Sequence, residues 1–279
     1  MPMKEPTWEV DHADDWGAAI IATVGRQLRL WREAAAMRAA EFALAVGYGE
    51  DMIYKIESGK RIPRPEFLDK ADEVLGANGL ISAMKADVAN VRYPKRDRAL
   101  AKLEGRSVEM QLYSPLDIHG LLQTPEYARG LFLMRRPVYT PEEVDWYTAA
   151  RMARKAVFER SPAPQLSFVL EECALLRPLG GRDVLRRQLE HLLNVAELRN
   201  VELQMMPLEQ VEHVGLSSLE VIKFDDGTAV GRSSAVSGGR PVTDLRSLRL
   251  LELRYGILRT QALTPGATVD ALRRMLRGT

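Results

Sequence analysis

One cysteine in 279 residues, Cys173, excludes an internal disulfide, and without a CxxC pair or a Cys/His cluster there is no thiolate set for structural zinc. Long apolar runs are missing too: no stretch approaches the roughly 18 residues that suggest a membrane-spanning helix. Met1 to Trp16 is acidic and polar and lacks the basic and apolar regions of a secretion signal. These absences give the expectation of a cytoplasmic protein that enters no membrane. An excess of charge is also lacking, since 39 basic residues face 38 acidic ones for a formal net charge of +1. Any attraction to nucleic acid must then come from a local surface. His12, His119 and His191 show no metal-ligand spacing, and Gly180-Gly181 reads as a turn into a helix rather than a phosphate-cradling loop. No metal, no cofactor and no catalytic group is expected, and no internal repeat is present.

What remains is an ordinary globular composition, 46% apolar and 28% charged. The length suits two domains of about 100–200 residues each. Residues 1–17 read as an acidic leader, 18–91 as an α-helical domain of five helices, 92–106 as a basic linker and 107–279 as a larger α/β domain. In the first domain Ile20, Val24, Leu28 and Trp31 recur at three- and four-residue spacings, which marks one apolar helix face. A second helix, about Ala39 to Val46, is ended by Gly47. A third opens at Gly49-Glu50-Asp51 and runs to Ser58, and Gly59 stops it. Pro63 and Pro65 introduce a fourth, and a fifth covers Leu80 to Asn90. The linker carries Arg92, Lys95, Arg96, Arg98, Lys102 and Arg106 against Asp97 and Glu104.

Beyond it, Val108–Tyr113, Leu166–Leu170, Val201–Met205, Leu219–Phe224 and Thr228–Ala235 read as strands. Helical patterns lie between and after them, at Thr124–Met134, Pro141–Arg160, Gly181–Arg199, Val242–Ala262 and Thr268–Arg277, which predicts an α/β layer. Glu171 and Glu172 are placed side by side on a strand, pointing to opposite faces, so they form no carboxylate pair. Cys173 reads as a small core residue. Arg151, Arg154, Lys155, Arg160, Arg182, Arg186 and Arg187 read as a solvated helix face or as a surface for an acidic partner. The leucines of Val242–Ala262 suit packing on the sheet or joining a dimer.

The second and third helices, joined through Gly47-Tyr48-Gly49, have the lengths and turn glycine of a helix-turn-helix. Gly25-Arg26-Gln27-Leu28-Arg29 precedes them, and Ile53-Tyr54-Lys55-Ile56-Glu57-Ser58-Gly59-Lys60-Arg61-Ile62-Pro63 ends them. Over about residues 20–80 this arrangement resembles the Cro/repressor-like XRE family. The resemblance implies that Ile53 and Ile56 are core residues, that Glu50, Asp51, Tyr54 and Lys55 face base edges, and that Arg38, Lys60 and Arg61 lie near phosphates. It also implies that Glu57 pairs with Arg32 inside the domain. Two departures stand out. Arg38-Ala39-Ala40 occupies the place of a Ser or Thr cap followed by Gln, so the cap and a backbone contact are expected to be missing. Glu50 and Asp51 head the recognition helix, where they either accept from a cytosine amino group, repel the phosphates, or simply favour the helix N-terminus.

In the second domain Thr124 is expected to cap a helix begun by Pro125. The segments Gly120 to Arg129, Arg151-Met152-Ala153-Arg154, Glu172-Cys173-Ala174-Leu175 with Arg177-Pro178, and Met206-Pro207 leading to His213-Val214-Gly215 together resemble the C-terminal domain of the WhiJ-like, antitoxin-like regulators of actinobacterial type. His119 stands where a proline is usual and Lys155 where a glutamine is usual. The resemblance implies a small BldB-like protein partner. Gln123, Tyr127, Arg151, Arg154, Glu172, Arg177 and His213 are the candidate partner or ligand residues. Three readings stay open: a homodimeric transcription regulator on double-stranded DNA, associated with the nucleoid, whose second domain receives a protein or small-molecule signal; an antitoxin-like interaction module with weak or lost specific DNA binding; and a small-ligand sensor, for which an enclosed cavity near His213 and Glu172 is the mark.

Overall fold

The computed structural model describes residues 14–91, 95–209, 217–237 and 240–278, arranged as two compact units. The first is helical and holds the described residues up to Ala99 together with Thr140–Ala150; the second holds the rest. Among the described residues no helix is long and apolar enough to cross a membrane.

The helical unit begins with α1 (Asp15–Ala34), α2 (Ala39–Val46), α3 (Glu50–Glu57) and α4 (Pro65–Leu75). Ile21, Val24 and Leu28 of α1 meet Phe42, Ala43 and Val46 of α2, Ile53 and Ile56 of α3, and Phe67, Leu68 and Ala71 of α4 in one core. Gly25 lets α1 cross α3 closely: a Cβ there would lie 2.4 Å from the Ile56 carbonyl oxygen and 2.7 Å from that of Glu57. Gly47 ends α2 with φ at 77°, a left-handed conformation that glycine adopts at no steric cost. The expected fifth helix is two pieces, α5 (Leu80–Ala83) and α6 (Lys85–Val91), interrupted at Met84. Asp72 anchors the start of α5: its carboxylate accepts the N–H groups of Gly79, Ile81 and Ser82 at 2.8, 2.8 and 2.9 Å.

α7 (Lys95–Arg106) occupies most of the basic linker and runs directly into the first strand. Arg92 and the side chains of Lys95, Arg96 and Arg98 lie outside the described set; Lys102 and Arg106 are exposed. The sheet has five strands in the order β3-β2-β1-β4-β5: β1 (Ser107–Ser114), β2 (Gln165–Glu171), β3 (Val201–Met206), β4 (Leu219–Phe224) and β5 (Ala229–Ser233). The first three are parallel; β4 is antiparallel to β1, and β5 to β4. The expected strand at Thr228–Ala235 is shorter because α12 (Ser234–Ser237) follows at once.

Side-chain alternation assigns the two sheet faces. Met110, Leu112, Phe168, Leu170, Leu203 and Met205 point to the face covered by α8 (Pro125–Leu133), α11 (Arg182–Val195) and α14 (Pro265–Gly278). Tyr113, Val169, Leu219 and Val221 point to the face covered by Leu251, Tyr255 and Leu258 of α13 (Leu245–Gln261). The leucines of α13 thus divide: Leu248, Leu251 and Leu258 are buried, while Leu245, Leu250 and Leu253 are exposed. Each sheet edge is met by backbone at one point. The β3 edge receives the Leu263 N–H on the Met205 carbonyl at 2.8 Å, and the β5 edge bridges Gly231 to Val242.

α9 (Pro141–Ala153) stops short of the expected Arg160, and the chain continues as a 3-10 segment, Arg154–Glu159. Glu171 and Glu172 are not neighbours on a strand: Glu171 closes β2 and Glu172 opens the short α10 (Glu172–Leu176). Glu171 accepts from the Tyr113 hydroxyl at 2.6 Å and Glu172 from the Leu208 N–H at 2.9 Å, so the two carboxylates serve different elements. Cys173 is half-buried rather than a full core residue, and its Sγ donates to the Pro115 carbonyl at 3.2 Å.

Candidate functional site

The pair α2 and α3, with Gly47 left-handed between them, presents one face of α3 outward while Ile53 and Ile56 anchor the other. Residues one helical turn apart share a face, which sets the four outward residues in two pairs. The Lys55 ammonium lies 2.6 Å from the Asp51 carboxylate, and the Tyr54 hydroxyl donates to Glu50 at 3.1 Å. That bond, with the Glu50 charge, pushes the Tyr54 phenol upward. All four are exposed. The acids are therefore not bare: each is held within the helix by a group that also faces outward.

Behind this face, Arg32 donates Nε and one terminal nitrogen to the two Glu57 oxygens at 2.7 and 2.9 Å, and its other terminal nitrogen to the Met37 carbonyl at 2.9 Å. The hydrogen bond to Glu57 raises the guanidinium further despite its burial. This three-point attachment ties α1 to the end of α3 and to the turn before α2. The start of α2 is better provided than Arg38-Ala39-Ala40 suggests. Glu41 reaches back to the Arg38 N–H at 2.9 Å, half of a capping box, and its other oxygen takes the Arg38 guanidinium at 2.6 Å. Arg38 is thus engaged locally; Lys60 is exposed and Arg61 half-buried just past α3.

The candidates of the second domain fall into two groups. Gln123 and Tyr127 are fully buried, and Arg154 is 6% exposed. Gln123 donates to the Ile118 carbonyl at 2.7 Å and accepts from Arg151 at 2.8 Å, and the Tyr127 hydroxyl accepts the Ile118 N–H at 3.3 Å. Arg154 makes a bidentate pair with Glu104, at 3.0 and 2.5 Å, with both side chains about 5% exposed. Arg160 adds a bond to the Ser107 carbonyl at 2.6 Å, and Lys155 is half-buried with Nζ 2.9 Å from His191 Nε2. The solvated face expected for these basic residues is therefore confined to Arg182, Arg186 and Arg187. Gln123, Tyr127 and Arg154 are packing groups, inaccessible to a partner, because burial obliges them to find bonds inside the fold. Arg151 is half-buried, Glu172 is taken by Leu208, and Arg177 is exposed, with one terminal nitrogen 3.4 Å from the Leu116 carbonyl. His213 lies outside the described residues, as does His12.

A cluster not foreseen in the sequence follows the end of β1. Burial would raise the Glu220 carboxyl, but His119 beside it, with the charges of Arg232 and Arg154, outweighs it and brings the group to about 2. His119 Nδ1 accepts from the Leu121 N–H, leaving Nε2 3.7 Å from Glu220, and Arg232 lies 3.8 Å away on β5. Asp117 is pushed upward by burial against the lowering charges of His119, Arg151 and Arg135. No spacing signal announces this cluster, because β4 and β5 supply half of it. Elsewhere a cleft of about 510 Å3 is lined by Leu175, Leu176, Pro178, Leu185 and Met275 with Arg182 at its edge, and Glu172 is not among its walls. Among the described residues no group of three or more His, Cys, Asp or Glu side chains is placed to hold a metal ion.

This geometry is that of a helix-turn-helix protein, and residues 23–80 match the family model of a helix-turn-helix domain, the DNA-binding module of many regulators. Residues 97–274 match a family described as a domain of unknown function (DUF5753), and the chain belongs to that family. No curated protein and no solved structure matches the chain.

Proposed function

We propose that this chain is a transcription regulator of the XRE type that binds double-stranded DNA as a homodimer, with α3 in the major groove, and whose second domain receives a signal as in the WhiJ-like regulators. The observation that carries the reading is the outward face of α3. Tyr54 and Lys55 stand beside Glu50 and Asp51 on a helix held from behind by Ile53, Ile56 and the Arg32–Glu57 pair. Each acid is already matched within the helix, so the face approaches DNA with one basic and two acidic charges, one of them neutralised by Lys55. Lys60 and Arg61, immediately after α3, supply positive charge for phosphates. In this reading no side chain of either domain is catalytic, and the work of the chain is cytoplasmic and nucleoid-associated binding.

A salt series tests the reading, comparing DNA from upstream of the protein's own gene with random DNA of equal length. Specific binding that falls steeply with salt and weakens in Lys55→Ala supports it. Absence of any preference in the wild type, with affinity gained in Glu50→Ala/Asp51→Ala, favours the second reading. That reading is an antitoxin-like interaction module bound to a small BldB-like protein, and the intrahelical pairing of both acids is the observation in its favour. A small-ligand sensor is the third; the cleft at Leu175 and Met275 is of a size for one.

A further inference from the structure

The lysines of this chain do not share one environment. Lys55, Lys70, Lys85 and Lys223 each hold a carboxylate: Asp51, Glu73, Asp69, and Glu109 with Glu252. Lys60 and Lys102 are exposed. Lys155 differs from all of them. It is half-buried on the 3-10 segment, and its Nζ bonds to a ring nitrogen of His191 on α11 at 2.9 Å. The acids beside its neighbours are engaged elsewhere: Glu104 holds Arg154, the residue before Lys155, and Glu190, the residue before His191, holds Arg186.

An ammonium bonded to an imidazole rather than a carboxylate has no opposite charge to offset its desolvation, so the neutral amine gains. Burial lowers Lys155 to about 8, and burial followed by the Lys155 charge lowers His191 to about 4. At neutral pH the imidazole is therefore an uncharged acceptor facing an amine that is partly free.

We propose that Lys155 is an acylation site, whose amine, held by His191 and paired with no carboxylate among the described residues, takes acyl groups from small activated donors such as acyl phosphates in preference to the other described lysines. The free amine attacks the acyl carbon; the C–N bond forms, the C–O bond to phosphate breaks, phosphate leaves with the electron pair, and the proton released from nitrogen passes to water. The product suits the site. An amide nitrogen keeps one N–H, enough to donate to His191 Nε2, and the half-buried charge is gone.

At pH 7 about 9% of an amine titrating near 8 is unprotonated, against about 0.04% for an unperturbed lysine, an advantage of roughly 230-fold. The weaker basicity takes back about fifteenfold if a Brønsted slope near 0.5 applies to amines as it does to thiols, which leaves roughly tenfold. The full-length protein is treated briefly with acetyl phosphate at pH 7 to 10, and the initial rate at each lysine is read by peptide mass mapping. The expected result is acetylation of Lys155 about tenfold faster than of Lys60 and Lys102 at pH 7. Its rate should level off above about pH 8 while theirs keep rising. A rate at Lys155 equal to or below theirs at pH 7, or a pH dependence parallel to theirs, overturns the proposal. A His191→Glu variant, checked for folding by thermal melting, places a carboxylate against the amine and should cut the Lys155 rate to the level of Lys60; an unchanged rate also counts against it. The wild-type comparison among lysines stands whether or not that variant folds.

Discussion

Removing one partner of the Glu104–Arg154 pair should damage the second domain far more than removing both. Each side chain is about 5% exposed, two hydrogen bonds join them at 3.0 and 2.5 Å, and Arg160 also reaches the Glu104 carbonyl. Arg154→Met leaves a buried carboxylate with no counter-charge, and Glu104→Leu leaves a buried guanidinium; either loss costs about 3–5 kcal/mol. In a domain of this size that lowers Tm by roughly 10 °C. Glu104→Leu with Arg154→Met replaces both charges by apolar groups of similar length and should recover stability to within about 1–2 kcal/mol of the wild type. The coupling between the two substitutions is then several kcal/mol, far beyond the additivity expected of independent sites. Urea unfolding of the wild type, both single variants and the double variant gives all four values, and the m-value checks that the native state stays equally compact. Singles within 1 kcal/mol of the wild type, or a double variant that sums them, refute the burial argument and return Arg154 to the surface as a partner contact.

Gly25→Ala should loosen the helical unit, because its Cβ would sit 2.4 and 2.7 Å from two backbone oxygens of α3 that cannot rotate away. A loss of about 1–3 kcal/mol in chemical denaturation is expected, with weakened DNA binding as α3 shifts; an unchanged midpoint contradicts the close crossing. His191 makes stability depend on acid. Its folded value of about 4 lies below the unfolded value near 6.5, so the unfolded chain binds the extra proton first as pH falls. Stability present above about pH 6.5 is therefore lost between there and about pH 4, by about 2 kcal/mol after allowance for solvent near a half-buried group. His191→Phe should flatten that part of the pH–stability curve, and a curve unchanged by the substitution contradicts the assignment.

The sequence made the helical domain legible because its signals are local. Apolar spacing marked the buried face of α1, and Gly47 marked the turn. Strands β1 to β5 are visible as runs in the sequence, β5 with too long an end, but not their order, since placing β4 against β1 depends on contacts between distant segments. The pairing on α3 has a readable signal, Asp51 and Lys55 four residues apart, and Glu50 and Tyr54 repeat the spacing. Glu41 at the third position of α2 likewise offered the backward half of a capping box. Other features had no local signal. Glu104 lies in a basic stretch, and only the fold brings Arg154 to it; Gln123 and Tyr127 read as partner residues because burial is a tertiary property. The cluster of Asp117, His119, Glu220 and Arg232 is assembled by the β1–β4–β5 arrangement and was invisible for the same reason.

The most direct test of the central claim is methylation-protection footprinting of the wild type and Tyr54→Ala on DNA that the protein selects. The account predicts protection of major-groove guanine nitrogens in two patches about 10–10.5 base pairs apart, with the pattern lost or shifted in the variant. Absence of major-groove protection at any protein concentration, or a pattern identical in Tyr54→Ala, contradicts the claim that the outward face of α3 reads DNA.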